Sequence, residues 1–510
     1  MSTHLLGMDF GTGGAKVCIT DAELNVVSYA FREYKIFTEN PSWSEHDPEN
    51  YWTVTCDMIR ECLSKAAVKP SSIAGIAISS AMPAMVMVDE AGRPINRAYN
   101  LMDRRAAKQV SEILSSIGAK AVFELTGNRL EDHPALINLL WEKENRPEDY
   151  KRIWKILTIS GFIAMRLTGI TNMNYSEGPF FGVAYDIRNN RFDKEILSFL
   201  DISESLLPES ITQSETIIGE VMGEAAVETG LWAGTPVCSG QADCNAGWIG
   251  AGATEIGDIQ MNLGTCGNFG IIHKSTDFLN SMINFAYTIK DTNITVPTTT
   301  TGGQLLRFFR DGFCHMETAM SKLVQYNEYD FINFEAERIS PGSEGLVVLP
   351  YLMGERTPIW DTMARGVIFG LSLNHSKAHI ARAFMEAVAY ALYDSFQLIK
   401  QRYKINYPIV LNEGGAKSPL WRRIITDVFN TPTVMVKNRV GAPYGDALLA
   451  GVATGVFPDY SIGKEKVEYI DCLEPDAKTH EKYSEYFQVY KSVYWSLKDD
   501  FKKLDKLRNL

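Results

Sequence analysis

The stretch Leu5-Leu6-Gly7-Met8-Asp9-Phe10-Gly11-Thr12-Gly13-Gly14-Ala15-Lys16-Val17-Cys18-Ile19-Thr20 decides the fold. An apolar run ends in an acidic residue, passes through a Gly/Thr loop and resumes as a second alternating run. That pattern predicts strand, tight turn, strand, with a carboxylate at the strand end. Gly11, Gly13 and Gly14 leave no Cβ in the loop, so the backbone turns sharply and a ligand can approach it closely. Thr12 adds a hydroxyl and Lys16 a cation. Successive N–H groups in such a loop form an anion nest suited to phosphate. Asp9 is placed to hold a magnesium ion on that phosphate, directly or through water. Read alone, the same residues also suit an ordinary glycine-rich hairpin.

Roughly half a chain later the pattern returns in Ile259-Gln260-Met261-Asn262-Leu263-Gly264-Thr265-Cys266-Gly267-Asn268-Phe269-Gly270-Ile271-Ile272. A strand again runs into Gly-Thr-x-Gly and out into another strand. Two such hairpins in corresponding halves predict a duplicated fold whose halves face one nucleotide.

The two loops resemble the phosphate loops of the superfamily that holds the sugar kinases, hexokinase, actin and the heat-shock ATPases. Two further blocks narrow the resemblance to the FGGY carbohydrate kinases, of the xylulokinase and gluconokinase kind. One is Leu349-Pro350-Tyr351-Leu352-Met353-Gly354-Glu355-Arg356-Thr357-Pro358, continuing through Ala364-Arg365-Gly366 to Phe369-Gly370-Leu371. The other, Glu413-Gly414-Gly415-Ala416-Lys417-Ser418-Pro419-Leu420-Trp421, is similar to that family's adenosine loop. The resemblance runs from about Leu5 to about Phe457. It implies an α/β fold of two actin-like (ribonuclease H-like) domains with a catalytic cleft between them. Residues 1–250 would bind the sugar and carry the catalytic base, and residues 251–510 would bind nucleotide. A charged terminal helix from Thr479 onward would pack back on the first half.

The same resemblance implies ATP and Mg2+ as cofactors and phosphorylation of a hydroxyl on a ketose, polyol or aldonate. The catalytic base falls on Asp243, within Ser239-Gly240-Gln241-Ala242-Asp243-Cys244-Asn245-Ala246-Gly247. A carboxylate there accepts the hydroxyl proton as the γ-phosphoryl group moves in line. By local sequence alone Asp243 also reads as a helix N-cap. Nucleotide contacts fall on Gly11, Thr12, Gly13 and Lys16 in the first loop and on Gly264, Thr265 and Gly267 in the second. Gly303 and Arg307, with Gly415, Ala416 and Ser418, complete the set, and Asp9 is the metal residue. Acceptor contacts fall on Met82, Pro83, Asp103 and His133, together with Asp243; His133 also reads as a solvated loop residue. Here the pattern departs from the xylulose kinases. Pro83 stands where they place a histidine and brings no N–H. Leu101 stands where they place a tryptophan, although Asp103 and Arg105 remain. Loss of one polar contact can shift preference by orders of magnitude, so plain D-xylulose is a doubtful substrate and gluconate and other acyclic or ketose polyols stay open.

Composition is that of an ordinary globular protein and agrees with such an enzyme. The chain has 510 residues, 45% hydrophobic and 22% charged, enough for two large domains. A net charge of −12 disfavours nucleic acid and anionic membranes as partners. No signal-peptide pattern and no twenty-residue apolar run is read. The eight cysteines form no C-x-x-C pair and read as free thiols in a reducing cytoplasm. A homodimer is allowed but not required. Three other motifs fail on context. Asp9-Phe10-Gly11 lacks the rest of a protein-kinase set. His375 and His379 lack the glutamate of a zinc helix, and there is no P-loop. A non-catalytic ATP- and sugar-binding regulator of the same fold is the alternative function, against which Asp9, Thr12, Asp243 and Thr265 argue.

Overall fold

The computed structural model describes residues 3–437 and 440–508; the last two residues of the predicted tail, like the first two of the chain, lie outside them. Strands β1 (His4–Phe10), β2 (Gly14–Asp21) and β3 (Val26–Glu33) form an antiparallel meander, and β4 (Ile73–Ser80) adds parallel to β1. Pro236–Cys238 and Gln241–Ala242 both run parallel to β4. Every residue of central β1 is buried, whereas edge strand β3 alternates, as the two positions in a sheet require. Helix α1 (Pro48–Lys65) covers β2 and β3. Its N-cap Asp47 accepts from the Glu49 N–H, and Pro48 pre-sets the first turn. The strand Gln241–Ala242 passes directly into helix α2 (Asp243–Ile249).

The second sheet repeats this plan. Strands β5 (Ile259–Leu263), β6 (Gly267–His273) and β7 (Asn293–Val296) form an antiparallel meander. Strand β8 (Ile409–Asn412) lies parallel to β5, and β9 (Thr433–Val436) parallel to β8. Helices α3 (Gly303–Phe313), α4 (Lys377–Ile399) and α5 (Pro419–Phe429) contribute to its core. The two Gly/Thr hairpins thus sit at equivalent places, β1–β2 and β5–β6.

Two expectations about the second half need correction. Helix α6 (Ala442–Ala453) belongs by sequence to residues 251–510 but packs on β1, β4 and α2 of the first half. The contact is backbone to backbone. A Cβ on Gly7 would lie 1.9 Å from the Pro443 carbonyl oxygen, and one on Gly445 would lie 1.9 Å from that of Ala246. Conversely, the terminal helix α7 (Ala477–Arg508) does not return to the first half. Its face Tyr483, Phe487, Tyr490 and Tyr494 is buried in the second core, beside α4 and α5. Their three- and four-residue spacing forms one stripe, and that apolar stripe, not the charge of the helix, sets where it docks. A junction cluster including Leu5, Ala77, Trp248, Ile272, Tyr287 and Leu449 joins the halves.

The α2–α6 contact leaves no room for growth. Gly445→Ala is therefore expected to cost about 1–3 kcal/mol through overpacking. The check is the thermal midpoint, and an unchanged value would show that α6 can simply shift away from α2.

Candidate active site

Asp9 is the penultimate residue of β1 and is 2% exposed. The turn after it is closed by a hydrogen bond from Gly11 N–H to the Gly14 carbonyl at 3.0 Å, and Tyr34 donates its hydroxyl proton to the Gly11 carbonyl. Lys16, opposite Asp9 on β2, donates to Asp9 Oδ2 at 2.9 Å. Burial raises the Asp9 carboxyl above its usual range, and Lys16 opposes that rise. Burial would lower the Lys16 ammonium, but the Asp9 charge and hydrogen bond outweigh it and the net shift is upward.

Asp243 is the first residue of α2, with Ala242 at the cap position, so Asp243 is not the N-cap. It lines a cleft of about 720 Å³ together with Asp9, Gly11, Lys16, Asn262 and Gly414. Burial, and then the neighbouring Asp9 charge, push its carboxyl up to about 7. A carboxylate poised near neutrality at a cleft wall can take a proton from a hydroxyl.

This cleft shares Glu413, Gly414 and Lys417 with a second cavity of about 620 Å³. Gly264, Thr265, Gly303, Arg307, Gly415 and Ser418, all expected at the nucleotide, line that cavity. Thr12 and Gly13, also expected at the nucleotide, line neither cavity, and two further expected contacts do not line this one. Ala416 is fully buried, and Gly267 faces inward, where a Cβ would meet Thr299 Cγ2 at 2.9 Å. The second Gly/Thr loop also spends its carbonyls on α3. Gly303 N–H donates to Gly264 O at 2.6 Å and Gly302 N–H to Thr265 O at 2.9 Å. The first amides of α3 are thereby satisfied by the loop. A Cβ on Gly303 would lie 2.7 Å from Gly264 O, so glycine is needed there for this packing. Ser418 caps α5, accepting from Trp421 N–H at 3.1 Å and donating to Asn333 Oδ1 at 2.8 Å. Sequence reasoning missed Tyr329, Asn333 and Arg310 on the far wall. They come from helical positions without any glycine or threonine signature to mark them.

Met82, Pro83, Leu101 and His133 line a third cavity of about 120 Å³, joined by Arg129 and Arg356. Asp243 does not line it; Met82, Phe180 and Cys244 pack against the junction cluster nearby. His133 is buried, not solvated, and burial first of all lowers its imidazole, so it is held neutral. Arg356 crosses from the second half to Glu131 at 3.1 Å. Asp103, expected at the acceptor, is placed elsewhere. It is fully buried, accepts from Ser44 N–H at 2.8 Å, and is chelated by Arg105, which stacks on Trp43 and Tyr99. These bonds hold residues 103–105 in a turn, and the helix that follows begins at Ala107. All eight cysteines are free.

Residues 4–250 match the N-terminal domain of the FGGY family of carbohydrate kinases, and residues 298–454 match its C-terminal domain. The chain belongs to the FGGY family of carbohydrate kinases. This FGGY kinase is 28% identical over 502 residues to the xylulose kinase of Bacillus subtilis, covering 97% of each chain. It is also 28% identical over 458 residues to the gluconokinase of the same organism, covering 89% of this chain and 88% of that one. The crystal structure of gluconate kinase from Lactobacillus acidophilus superposes with a TM-score of 0.90 at 25% identity, over 99% of this chain and all of that one. The fold is accordingly the two-domain, actin-like α/β fold of these kinases. The protein is a phosphotransferase acting on an alcohol group of a small sugar or sugar derivative. Among the described residues no helix is long and apolar enough to cross a membrane.

Proposed function

We propose that this FGGY kinase transfers the γ-phosphoryl group of ATP, with Mg2+, to a hydroxyl of a sugar acid of the aldonate class, and that D-xylulose is a poor acceptor. The observation that carries the acceptor class is the charge of the 120 Å³ cavity. Arg356 is paired with Glu131, and His133 is held neutral. Arg129 lies 5.2 Å over the Trp360 ring and forms no ion pair among the described residues. An acceptor carboxylate would complete that guanidinium with a charge-assisted pair, which a neutral pentulose cannot do. Pro83 and Leu101, both on the wall, remove a donor and an aromatic surface from the same cavity.

The nucleotide site fits ATP. The Trp421-lined cavity opens into the cleft of Asp9, Lys16 and Asp243 through Glu413, Gly414 and Lys417, and a Cβ on Gly414 would meet nothing within 4 Å. Adenine would lie toward Trp421 and Tyr329, and phosphates toward Gly11–Lys16 and Gly264–Thr265. No group of three or more metal-ligating side chains exists among the described residues. That suits magnesium, which keeps its waters and binds through one or two carboxylates plus substrate phosphates. Asp9 is the carboxylate to hold it, and the ion would neutralise charge on the transferring group. Asp243 accepts the acceptor's proton, and Lys16 favours the ionised form of Asp9 and orients it.

The test is a coupled ADP-release assay over a panel of aldonates, ketoses and polyols. An aldonate is expected to exceed D-xylulose in kcat/KM by about tenfold or more, the scale of one lost charged or polar contact. Arg129→Ala should raise the aldonate KM with little change in kcat. A wide preference for D-xylulose would overturn the acceptor reading while leaving the kinase assignment in place.

A further inference from the structure

Asp446 is a carboxyl group that nothing above uses. It lies on α6, in the otherwise small and apolar run Ala442-Pro443-Tyr444-Gly445-Asp446-Ala447-Leu448-Leu449-Ala450, and it is 0% exposed. It sits where α6 meets β1 and α2, between the element that bears Asp9 near its end and the one that begins with Asp243. Both of its oxygens are engaged. Gln241 Nε2 donates to Asp446 Oδ1 at 2.9 Å, and Ser79 Oγ lies 2.7 Å from Asp446 Oδ2. The Gln241 amide is oriented from its other side by the Thr288 hydroxyl, which donates to Gln241 Oε1. Ser79 Oγ also lies 3.3 Å from Asp9 Oδ1.

Counting protons gives this chain a direction. A serine hydroxyl has one proton, and Ser79 faces two carboxylates with it. If Asp446 were ionised, that proton would go to the nearer oxygen, Asp446 Oδ2, and Asp9 would lose Ser79 as a donor. If Asp446 carries a proton on Oδ2, it donates to Ser79, and Ser79 donates to Asp9. Thr288, Gln241, Asp446 and Ser79 then each donate once to the next group in the series, and Asp9 accepts at its end. Local charge favours the same state. The ionisable groups facing Asp446 are Asp9 from β1, Cys18 from β2, Cys238 from the strand before α2, and Asp243 from α2. The nearby cation, Lys16, is engaged with Asp9. Burial is the main influence on Asp446 and raises its carboxyl well above the usual range.

We propose that Asp446 is a positioning residue for phosphoryl transfer: a neutral carboxylic acid that relays a one-way hydrogen-bond chain from Thr288, in the second half, to the Asp9 carboxylate. The chain passes through Gln241, two residues before Asp243, so it sets the strand end bearing Asp9 and the helix start bearing Asp243 relative to each other. A misplacement of about 1 Å between such groups can cost 10²-fold in rate. The inference rests on the roles proposed for Asp9 and Asp243, whose own variants test those roles separately.

Asparagine discriminates between the two protonation states. Asp446→Asn can still accept from Gln241 through its oxygen and donate to Ser79 through its amide, whereas Asp446→Ala can do neither. Asp446→Ala and Ser79→Ala are expected to lower kcat by about 10–100-fold, with the nucleotide KM changed by less than about threefold. Asp446→Asn is expected to recover kcat to within about fivefold of the parent. Infrared difference spectra of parent against Asp446→Asn at neutral pH should show the C=O band of a protonated carboxyl group, lost in the variant. Should Asp446→Ala fail to fold, Ser79→Ala and the infrared band carry the test. An Asn variant as slow as the Ala variant, absence of the carboxyl band, or parental kcat in both Asp446→Ala and Ser79→Ala would each overturn the inference. If instead Asp243→Ala retains normal turnover, it is the assignment of the base that fails.

Discussion

Asp243→Ala is expected to lower kcat by roughly 10²–10⁴ and to leave nucleotide affinity nearly intact, because the proposed general base acts on the transferred proton and not on nucleotide binding. Its carboxyl is raised to about 7, first by burial and then by Asp9. The base works only when ionised, so kcat/KM should rise with pH and level off above about 7, and no base-dependent limb should remain in Asp243→Asn. The stability sign runs the other way. A carboxyl raised from 3.8 in the unfolded chain to about 7 in the fold binds its proton more tightly when folded. The stability this contributes is complete below about pH 4 and is lost as pH climbs through 7. Asp243→Asn should therefore melt higher than the parent at pH 8 while being nearly inactive. Near-normal turnover in Asp243→Ala would remove the residue from its role.

Asp9→Asn is expected to lower kcat by about 10² or more and to shift the magnesium requirement upward, because a charged, nearly buried ligand is replaced by a neutral one. The fold should survive. Asn still accepts from Lys16, which lies 2.9 Å from the Asp9 carboxylate, and the residue lies near a strand end. A second consequence follows from the coupling of the two carboxylates. Removing the Asp9 charge takes away one of the influences that raise Asp243, so the residual pH profile should move to lower pH. Full activity at saturating magnesium, with an unmoved profile, would show that Asp9 neither holds the metal nor faces the base.

Residues that act through backbone shape were readable from the chain. The Gly/Thr loops at 11–14 and 264–267 announce themselves because few other residues can make those turns, and both are hairpins at equivalent sheet positions. Gly303 and Ser418 are marked by pattern and line the 620 Å³ cavity proposed for the nucleotide, although their local work is helix packing and capping. Asp103 misled because an Asp-x-Arg pair reads alike whether it binds a ligand or itself. Only the packing of Trp43, Tyr99 and Ser44 around it shows a closed, satisfied ion pair. Asp446 left one signal that was passed over: a lone acid within an apolar helical run, a placement that is costly unless the group is neutral or paired.

The sequence by itself determined the duplicated strand–loop–strand plan, the kinase family and the residue types of the two Gly/Thr loops. Those features depend on short-range spacing, which a single chain displays in full. Tertiary structure alone decided that α6 crosses to the first sheet and that α7 stays on the second. It also decided that Arg129, Arg356 and Glu131 share one cavity, and that Asp9, Asp243 and Asp446 face a common polar centre. Each of these rests on residues tens to hundreds of positions apart. Their meeting is set by which apolar faces can be buried together, and their ionisation by how much water that burial leaves around them.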